Sequence, residues 1–417
     1  MGVLTLDEIV TGGLCIGCGL CKSVAGPDKI RMVLTAQGRE RPVAVRPLGD
    51  DLLAVINDIC PGTRIDGVPP EWLTPTTKLD AIWGPVISDT LFIAHATDPQ
   101  TRFRAAAGGV LTALGQHLLR SGAVDRVLHV RASDESALRS IAIVSETPED
   151  VLEGAASRYG PAPVLETLCE ILALDIPIAI VAKPCDIGAV RRLATVDARV
   201  GRLVKYCLAL VCGGASDLIK TLDVLERFGL QESEVRRFSY RGHGNPGPTR
   251  VETIDGRSFE LTYNDMWGDE SAWRLQPRCK ICPDAIGETA DLVVADCWPG
   301  GAPGGEDEGY NAVFARTRTG AALLQQAIAD GDLTAVRPAD IREMDEFQPH
   351  QVRKKRAVWP RLMGMRAAGM AIPDVRHLRI EELAAGNDEH INRKEQEGAE
   401  RRVTEGRLGE PPAESAG

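Results

Sequence analysis

The sequence predicts an α/β protein in which a small cysteine-bearing module precedes a mainly parallel sheet flanked by helices, with an added antiparallel hairpin. Three observations predict this fold. Residues 1–67 hold four cysteines in a short, glycine-containing unit. From residue 80 onward, apolar stretches of strand length alternate with stretches of helical periodicity, an order typical of parallel sheets with helical crossovers. Residues 236–264 have the pattern of two strands joined at Asp255-Gly256, a pair favoured in tight hairpin turns.

The individual elements follow from the period of the apolar residues and from capping signals. Short apolar stretches bounded by polar residues predict four strands, at 91–97, 124–132, 176–182 and 205–212. Apolar residues at helical spacing predict four helices, at 108–122, 145–155, 163–174 and 216–229. Strands and helices therefore alternate through this part of the chain, as they do in sheets built from crossover units.

A proline-rich connector, VPPEWLTPTT, separates the N-terminal module from the sheet and has the composition of a linker. The final stretch is charged and poor in apolar residues, so we expect it to be disordered or a frayed helix. The predicted organisation is a module at 1–67, a linker at 68–79, two parts of the α/β region at 80–165 and 166–345, a helical extension at 346–385 and a tail at 386–417.

Composition excludes several classes of function. The 417-residue chain has a net charge of −11, so no global positive field indicates nucleic-acid binding. No apolar stretch reaches the roughly 18 residues of a membrane helix, and the N-terminus lacks the basic region of a signal peptide. We therefore expect a cytoplasmic protein with no membrane span and no nucleic-acid partner. In that compartment, eleven cysteines indicate metal or redox ligands rather than disulfides.

Three cysteines stand at a strict spacing in LCIGCGLCKSVAG. Cys15, Cys18 and Cys21 form C-x2-C-x2-C, a loop that can supply three thiolates to one iron–sulfur cluster. Ala25 occupies the position of a local fourth ligand, but Cys60-Pro61 has the form of a distant one. The four cysteines predict a ferredoxin-like 4Fe-4S module. Zinc is less favoured because it more often joins two CxxC pairs, and a purely structural role is the remaining alternative.

A second set of four cysteines is dispersed along the chain. Cys279 and Cys282 form an isolated CxxC, a motif that also occurs in zinc and thiol-redox sites. Cys185 and Cys212 each follow a predicted strand, so they meet at the carboxyl-end edge of the sheet if those strands are neighbours. The four residues could hold a second 4Fe-4S cluster. The alternative is that Cys185 and Cys212 are small core residues.

Other candidate ligand-binding residues lie in loops. Gly108 and Gly109 precede a predicted helix whose first N–H groups would be free for an anion, although glycine pairs also mark tight turns. Arg241 and His243 lie in YRGHGNPGP, a glycine-rich loop that can approach a ligand closely or serve only as a turn. Asp296 ends the apolar stretch LVVA and has either a ligand-binding or a surface role.

Several of these stretches together resemble the coenzyme F420 hydrogenase/dehydrogenase beta-subunit family, which includes 7-hydroxymethyl chlorophyll a reductase and the ferredoxin-dependent divinyl chlorophyllide 8-vinyl reductase. The segments that carry the resemblance lie in consistent order over roughly residues 12–300. They are CIGCGLC, the CP at 60–61, AAAGGVLTALGQHLLRSGAVDRVLHV, AKPCDIGAVRRL, FSYRGHG and RCKICPDAIGETADLVVADCWPG.

The resemblance implies an FAD-binding α/β protein with one or two 4Fe-4S clusters, and it favours two. It implies that the glycine pair opens the helix beneath the phosphates of the flavin cofactor. The expected cofactor-binding residues are Ala107, Gly108, Gly109, Thr112, Lys183, Arg241 and Asp296. The expected cluster ligands are Cys15, Cys18, Cys21 and Cys60 for one cluster, and Cys185, Cys212, Cys279 and Cys282 for the other.

Three positions depart from the family pattern, and one of them is Cys297, which stands between Asp296 and Trp298 where other members usually show no cysteine. Ala107 stands where members often carry serine, so one hydroxyl contact is absent. Lys183 replaces a small or hydroxyl residue before Pro-Cys. If Lys183 reaches the flavin, its charge favours the anionic reduced form, and otherwise it is a solvated lysine at a strand end. Lys183 and His243 are the candidate catalytic residues.

From these features we expect a flavin- and iron–sulfur-dependent oxidoreductase. It would pass electrons from a ferredoxin-like donor through 4Fe-4S clusters to FAD, and on to a small organic acceptor or a deazaflavin coenzyme. The alternative is a non-autonomous electron-transfer (beta) subunit bound to the large subunit of a hydrogenase or dehydrogenase.

Overall fold

A central eight-stranded sheet organises the protein in the computed structural model, which describes residues 2–414. The strands are β1 (Ile30–Leu34), β2 (Glu40–Ala44), β3 (Arg64–Asp66), β4 (Thr77–Asp80), β5 (Gly84–Ile87), β6 (Phe92–Ala96), β7 (Arg126–Ala132), β8 (Ser140–Ser145), β9 (Ile178–Ala182), β10 (Val204–Leu210), β11 (Val235–Ser239), β12 (Thr249–Thr253), β13 (Ser258–Leu261), β14 (Leu292–Asp296), β15 (Asn311–Ala315), β16 (Leu333–Pro338) and β17 (Asp374–Arg376).

Helices cover the sheet and extend the chain at both ends. They are α1 (Leu6–Thr11), α2 (Leu20–Ala25), α3 (Asp50–Ile59), α4 (Pro99–Arg104), α5 (Val110–Arg120), α6 (Pro148–Glu153), α7 (Leu168–Ala173), α8 (Pro184–Leu193), α9 (Ala198–Leu203), α10 (Ile219–Phe228), α11 (Tyr263–Trp267), α12 (Pro277–Lys280), α13 (Arg318–Ala329), α14 (Glu343–Phe347), α15 (Pro349–Ala367), α16 (Ile380–Ala385) and α17 (Glu389–Thr404). Each of the four predicted strands of the sheet region overlaps an observed strand, namely β6, β7, β9 or β10. Each of the four predicted helices overlaps an observed helix, namely α5, α6, α7 or α10.

The central sheet is mixed, so the prediction of a mainly parallel sheet is wrong. The strand order is β16-β6-β15-β14-β10-β9-β7-β8. Three central pairs are parallel, β7 with β9, β9 with β10, and β10 with β14. The four outer pairs are antiparallel. Alternation of strands and helices predicts the parallel centre, but it carries no information on the direction of strands that join the sheet from distant parts of the chain.

The carboxyl ends of the parallel strands lie at one edge of this sheet, which places the candidate residues together. β6 is antiparallel to β15, and β15 is antiparallel to β14, so β6 ends at that same edge. α5 and α13 bury apolar residues on one face of the sheet, whereas α7, α8 and α9 pack on the other. The segments after β6, β9, β10 and β14 therefore converge.

The predicted hairpin is present and has a third strand. β12 pairs antiparallel with β13 across the Asp255-Gly256 turn, where Gly256 has φ +89°. β11 pairs antiparallel with the other side of β12. Val251 and Phe238 are buried beneath this three-stranded sheet together with aromatic residues of α11. The loop between β11 and β12 carries Arg241 and His243.

The N-terminal module shares its core with the C-terminal segment. β17 adds parallel to β3, and Leu6, Ile56 and Leu14 of the module belong to the same apolar cluster as Val358 and Leu408. The guanidinium of buried Arg41 pairs with Glu410 at 2.8 Å. Residues 1–67 are therefore not an independent core. The ferredoxin-like character of this module remains a prediction.

The expectation of a disordered or frayed tail is wrong for residues 389–404, which form the helix α17. Asp388 caps this helix by accepting a hydrogen bond from the His390 N–H at 2.7 Å. Gly398 and Ala399 are buried, and a Cβ at Gly364 of α15 would come within 3.0 Å of the Ala399 side chain. Small residues let α15 and α17 pack closely together. A prediction based on the number of bulky apolar residues does not detect such a contact. Residues 415–417 of the predicted tail lie outside the described residues.

Among residues 2–414, none of the helices combines the length and the apolar character needed to cross a membrane.

Candidate functional site

The first cysteine set lies in the N-terminal module. Cys15 and Cys18 lie in the loop between α1 and α2, Cys21 is in the first turn of α2, and Cys60 caps the end of α3. Positive φ angles of +71° at Gly17 and +81° at Gly19 allow this loop to turn tightly. The assignment of these four thiols to one cluster remains a prediction.

The four cysteines of this first set are free; Cys15 and Cys18 are buried, and Cys21 and Cys60 are half-buried. Burial raises the pKa of Cys15 to about 11, and the thiol of Cys60 adds to that rise. Cys60 likewise adds to the rise caused by burial in the pKa of Cys18 and Cys21. Backbone N–H groups donate to two of the sulfurs: Gly17 to Cys15 Sγ and Gly62 to Cys60 Sγ, both at 3.3 Å. Such donors are typical of thiolates that ligate a metal cluster.

The second cysteine set lines one narrow cavity at the sheet edge. Cys185 lies in the first turn of α8 after β9, Cys212 follows β10, and Cys279 and Cys282 belong to α12 and the turn after it. β9 and β10 are neighbours, as the prediction required. Burial raises the pKa of Cys212 to about 12, with Cys279 and Cys282 adding to the rise. The Ala215 N–H donates to Cys279 Sγ at 3.3 Å.

The two cysteine sets are adjacent in space. Ile16, which stands between Cys15 and Cys18 of the first set, lines the cavity formed by the second set. The buried carboxylate of Asp186 contributes to the raised pKa of both Cys18 and Cys185, after the larger effect of burial. A group on either set could therefore exchange electrons with a group on the other over a short path.

Both sets consist of thiol donors only. Each offers four free thiols and no histidine, a composition found in 4Fe-4S sites and also in four-cysteine zinc sites. Across residues 2–414, no three His, Cys, Asp or Glu side chains are arranged to hold one metal ion.

Lys183 lies at the second cysteine set. It lines the cysteine cavity, and its Nζ is 2.7 Å from Asp186 Oδ2. Asp186 has no exposed surface, and its carboxylate makes no well-aligned hydrogen bond in the described residues. Burial opposes the charge of Lys183, but Asp186 and the neighbouring Cys185 raise its pKa. Lys183 is therefore a fixed cation beside the cysteines.

The predicted anion site precedes α5 at the same sheet edge. Gly109 is the residue before α5 and has φ +75°, a conformation that favours glycine. A Cβ at Gly108 would approach the backbone N of Asn311 to 2.8 Å and the carbonyl oxygen of Ala94 to 2.9 Å, so this position must lack a side chain. Ala107 is buried, and Thr112 is in the first turn of α5.

The N–H groups of this loop are available to a ligand. In the described residues, the backbone N–H groups of 106–109, 111 and 112 donate to no protein acceptor, whereas that of Val110 donates to Asn311 Oδ1 at 3.3 Å. α5 has eleven residues, so its dipole adds to the positive potential at this end. The loop therefore has the chemistry of a phosphate-binding helix start.

Arg241 and Asp296 meet beside this loop. The Nη1 of Arg241 is 2.9 Å from Asp296 Oδ2, and its Nη2 donates to the carbonyl oxygen of Ala106 at 2.5 Å. Arg241 is 3% exposed, and its Nε has no protein acceptor in the described residues. Burial opposes its charge, yet Asp296 and Tyr159 raise its pKa. A fixed cation therefore lies next to the free N–H groups.

His243 lies on the outer side of the same loop. Its Nε2 is 3.1 Å from Arg237 Nη2, and its ring packs edge-on against Phe103 at 5.8 Å. Burial lowers the pKa of His243, and the charges of Arg237, Arg250 and Arg104 lower it further. No hydrogen bond joins His243 to Arg241 or Asp296 in the described residues.

Sequence reasoning missed the aromatic wall around Arg241. The guanidinium carbon lies 4.7 Å from the ring centre of Trp298 and 5.6 Å from that of Tyr263. Nη1 of Arg241 donates to Tyr159 Oη at 3.1 Å. Tyr159 and Tyr263 carry no sequence signal, because Tyr159 lies in a loop and Tyr263 begins α11, and the two become neighbours only in the fold. Trp298 lies two residues after Asp296 in ADCWPG, but the sequence indicated no separate role for it.

Comparison with known proteins gives matches over most of the sheet region. Residues 91–169 match the family model for the N-terminal part of the "Coenzyme F420 hydrogenase/dehydrogenase, beta subunit", and residues 176–341 match the one for its C terminus. An uncharacterized protein of Methanocaldococcus jannaschii is 24% identical over 374 residues, covering 84% of this chain and 96% of that protein. The coenzyme F420 hydrogenase subunit beta of Methanococcus voltae is 24% identical over 295 residues, covering 68% of this chain and 97% of its own length.

A solved structure shares the fold. A chain of the F420-reducing [NiFe] hydrogenase complex from Methanosarcina barkeri superimposes with a TM-score of 0.50 at 21% sequence identity. The match covers 67% of this chain and 95% of that chain. At this identity the likeness supports the mixed α/β fold and nothing finer.

Proposed function

The chain belongs to the coenzyme F420 hydrogenase/dehydrogenase beta-subunit family, and from that premise we propose that it is a flavin- and iron–sulfur-dependent oxidoreductase. It takes electrons from a ferredoxin-like donor, carries them on two 4Fe-4S clusters, and passes them by way of FAD to a small organic acceptor or a deazaflavin coenzyme. The single observation that carries this proposal is the convergence of two adjacent four-thiol sites and a phosphate-binding helix start at one sheet edge.

The cysteines would hold the clusters. Cys15, Cys18, Cys21 and Cys60 would ligate the N-terminal cluster, and Cys185, Cys212, Cys279 and Cys282 the second. The burial that raises the pKa of the free thiols also excludes water from the cluster sulfurs. When bound, iron–sulfur clusters carry single electrons and a flavin collects them in pairs, which is why the two kinds of cofactor occur together.

The loop before α5 would hold the flavin's phosphates. Its free N–H groups, those of residues 107–109, 111 and 112, match the acceptors of a pyrophosphate, and Arg241 supplies a fixed positive charge beside them. Asp296 keeps the guanidinium oriented. Lys183 would supply a positive charge beside the second cysteine set, and His243, in the loop between β11 and β12, is the other candidate catalytic residue.

A second candidate function is that of an electron-transfer subunit without a substrate of its own. The observation that favours it is the match to the subunit beta of the Methanococcus voltae hydrogenase, over 97% of that protein's length. In that case the flavin would exchange electrons with a coenzyme, while a larger partner would carry the other half-reaction.

Anaerobic purification of the full chain tests the proposal. We expect a brown preparation with about eight irons, about eight sulfides and one FAD per chain, and with flavin and cluster absorption bands. About four irons would restrict the proposal to one cluster, and the absence of flavin would refute it. A colourless preparation containing zinc would support a structural metal protein instead.

Affinity capture from native cells separates the two candidate functions. An autonomous oxidoreductase should elute alone or with a small electron carrier, and should reduce an acceptor when a ferredoxin is supplied. A stoichiometric large catalytic partner, together with no activity of the isolated chain, would favour the electron-transfer subunit.

A further inference from the structure

One buried arginine touches both cysteine sites. Arg278 directly precedes Cys279 of the second set and lines the cavity of that set. Its Nη2 donates to the carbonyl oxygen of Pro61 at 2.9 Å, and its Nε to the same oxygen at 3.3 Å. Pro61 directly follows Cys60 of the first set. A single side chain therefore ties the CxxC turn of one site to the fourth ligand position of the other.

The environment of Arg278 makes its charge effective. The residue is 2% exposed, and its hydrogen bonds in the described residues go only to carbonyl oxygens, those of Pro61 and Ile281. No carboxylate pairs with this guanidinium among the ion pairs of residues 2–414. A buried positive charge without a counter-ion acts strongly on neighbouring negative groups, because water does not screen it.

Its neighbour Arg41 provides a contrast. Arg41 is also fully buried and acts on Cys15 of the first set. Its guanidinium, however, is paired with Glu410 and donates to Gln276 Oε1 at 3.0 Å. Arg41 therefore faces one cysteine set with a compensated charge, whereas Arg278 faces both sets with an uncompensated one.

We propose that Arg278 is a positioning residue that couples the two iron–sulfur sites. Its double hydrogen bond to Pro61 fixes the distance between them, and its charge favours the reduced, more negative state of both clusters. This inference rests on the proposed function, because it requires a cluster at each cysteine set.

The test compares variants of the anaerobically prepared full chain by redox titration followed with electron paramagnetic resonance. Arg278→Met should lower the equilibrium constant for one-electron reduction of both clusters at least tenfold, which is about 59 mV for each. Arg278→Lys keeps the charge but not the double hydrogen bond, so the potentials should move less. In both variants the magnetic interaction between the two reduced clusters should weaken. Cys60→Ala and Cys212→Ala, each leaving one cluster, assign the two signals.

Arg41→Met is the matched control and should change only the N-terminal cluster. If Arg278→Met also changes only one potential, or if neither potential nor the magnetic interaction moves, the inference is overturned. These readouts separate coupling from a merely structural role, because a structural role alters stability and not the two potentials together. Fewer than about eight irons in the unmodified chain would refute the two-cluster proposal and this inference with it. Eight irons with unchanged potentials would refute the inference alone.

Discussion

Cys60 is the residue on which the completeness of the N-terminal site depends, and replacing it with alanine should remove one whole cluster. We expect the iron content to fall from about eight to about four per chain, because a 4Fe-4S cluster is held by four thiolates and the local alternative position is Ala25. In the structure the Cys60 sulfur is buried and accepts the Gly62 N–H at 3.3 Å, and its charge acts on the three other cysteines of its set.

The second site should keep its four irons in this variant. Its ligands lie on α8, after β10, and around α12, and none comes from residues 1–67. The assay is iron and sulfide analysis of anaerobically reconstituted protein, with electron paramagnetic resonance of the reduced sample. Retention of about eight irons would refute the assignment of Cys60 as a ligand. Loss of all iron would show that the two sites do not assemble separately.

Cys169→Ala is the matched control for this experiment. Cys169 is a half-buried thiol in α7 that belongs to neither set, and its backbone N–H donates to Ser23 Oγ at 2.8 Å, a bond the substitution leaves in place. The control should retain about eight irons. A decrease in iron equal to that of Cys60→Ala would indicate a general effect of removing a thiol.

Three further predictions concern charged groups in the fold. Arg241→Met should abolish flavin retention and destabilise the protein by about 3–5 kcal/mol, because Asp296 loses its buried partner; flavin content and thermal unfolding measure the two effects. Glu288→Gln should destabilise by a similar ~3–5 kcal/mol, because buried Lys355 is left without its carboxylate. Lys355 lowers the pKa of Glu288 against the opposing effect of burial. The stability that the Glu288–Lys355 pair contributes is therefore present above the ordinary pKa of 4.5 and is lost as the pH falls below it, which denaturant unfolding at several pH values would show. Burial lowers the pKa of His129 from 6.5 to about 4, so between these pH values the unfolded chain binds a proton that the folded chain does not. The free energy of unfolding should therefore fall by about 3 kcal/mol as the pH decreases from 6.5 to about 4, and His129→Gln should remove this pH-dependent loss of stability.

Local sequence signals predicted the elements and the contiguous motifs well. The strand over 176–182, the helix after Gly109 and the Asp255-Gly256 turn all lie where periodicity and turn chemistry place them. Such features depend on neighbours within one or two turns of chain, so a single sequence contains them. The C-x2-C-x2-C loop belongs to this class, since its three thiols are positioned by one glycine-bearing turn.

Features set by long-range contacts were not predictable in the same way. β6 pairs antiparallel with β15 and with β16, in each case across more than two hundred residues of chain. The tail at 389–404 is helical because α17 docks on α15 through small residues, a contact that composition does not reveal. The pairing of Lys183 with Asp186 at the cysteine cavity was not predicted either, because the direction of a side chain at a strand end depends on the groups that pack around it, and the role of Lys183 at a flavin remains a prediction.

The geometry of the sheet edge explains why residues so far apart in sequence meet. Asn311 of β15 is opposite Asp296 of β14 on one side and opposite Ala94 of β6 on the other. The register thus places the end of β14 beside the loop that follows β6, and β10 and β9 continue the same edge toward Cys212 and Cys185. A lateral order of glycine loop, Asp296, Cys212 and Cys185 follows from the strand order alone. If the cofactors bind as proposed, the second cysteine site and the flavin would lie side by side along the ends of adjacent strands, which are about 4.8 Å apart, and an electron passing between them would not have to cross the sheet.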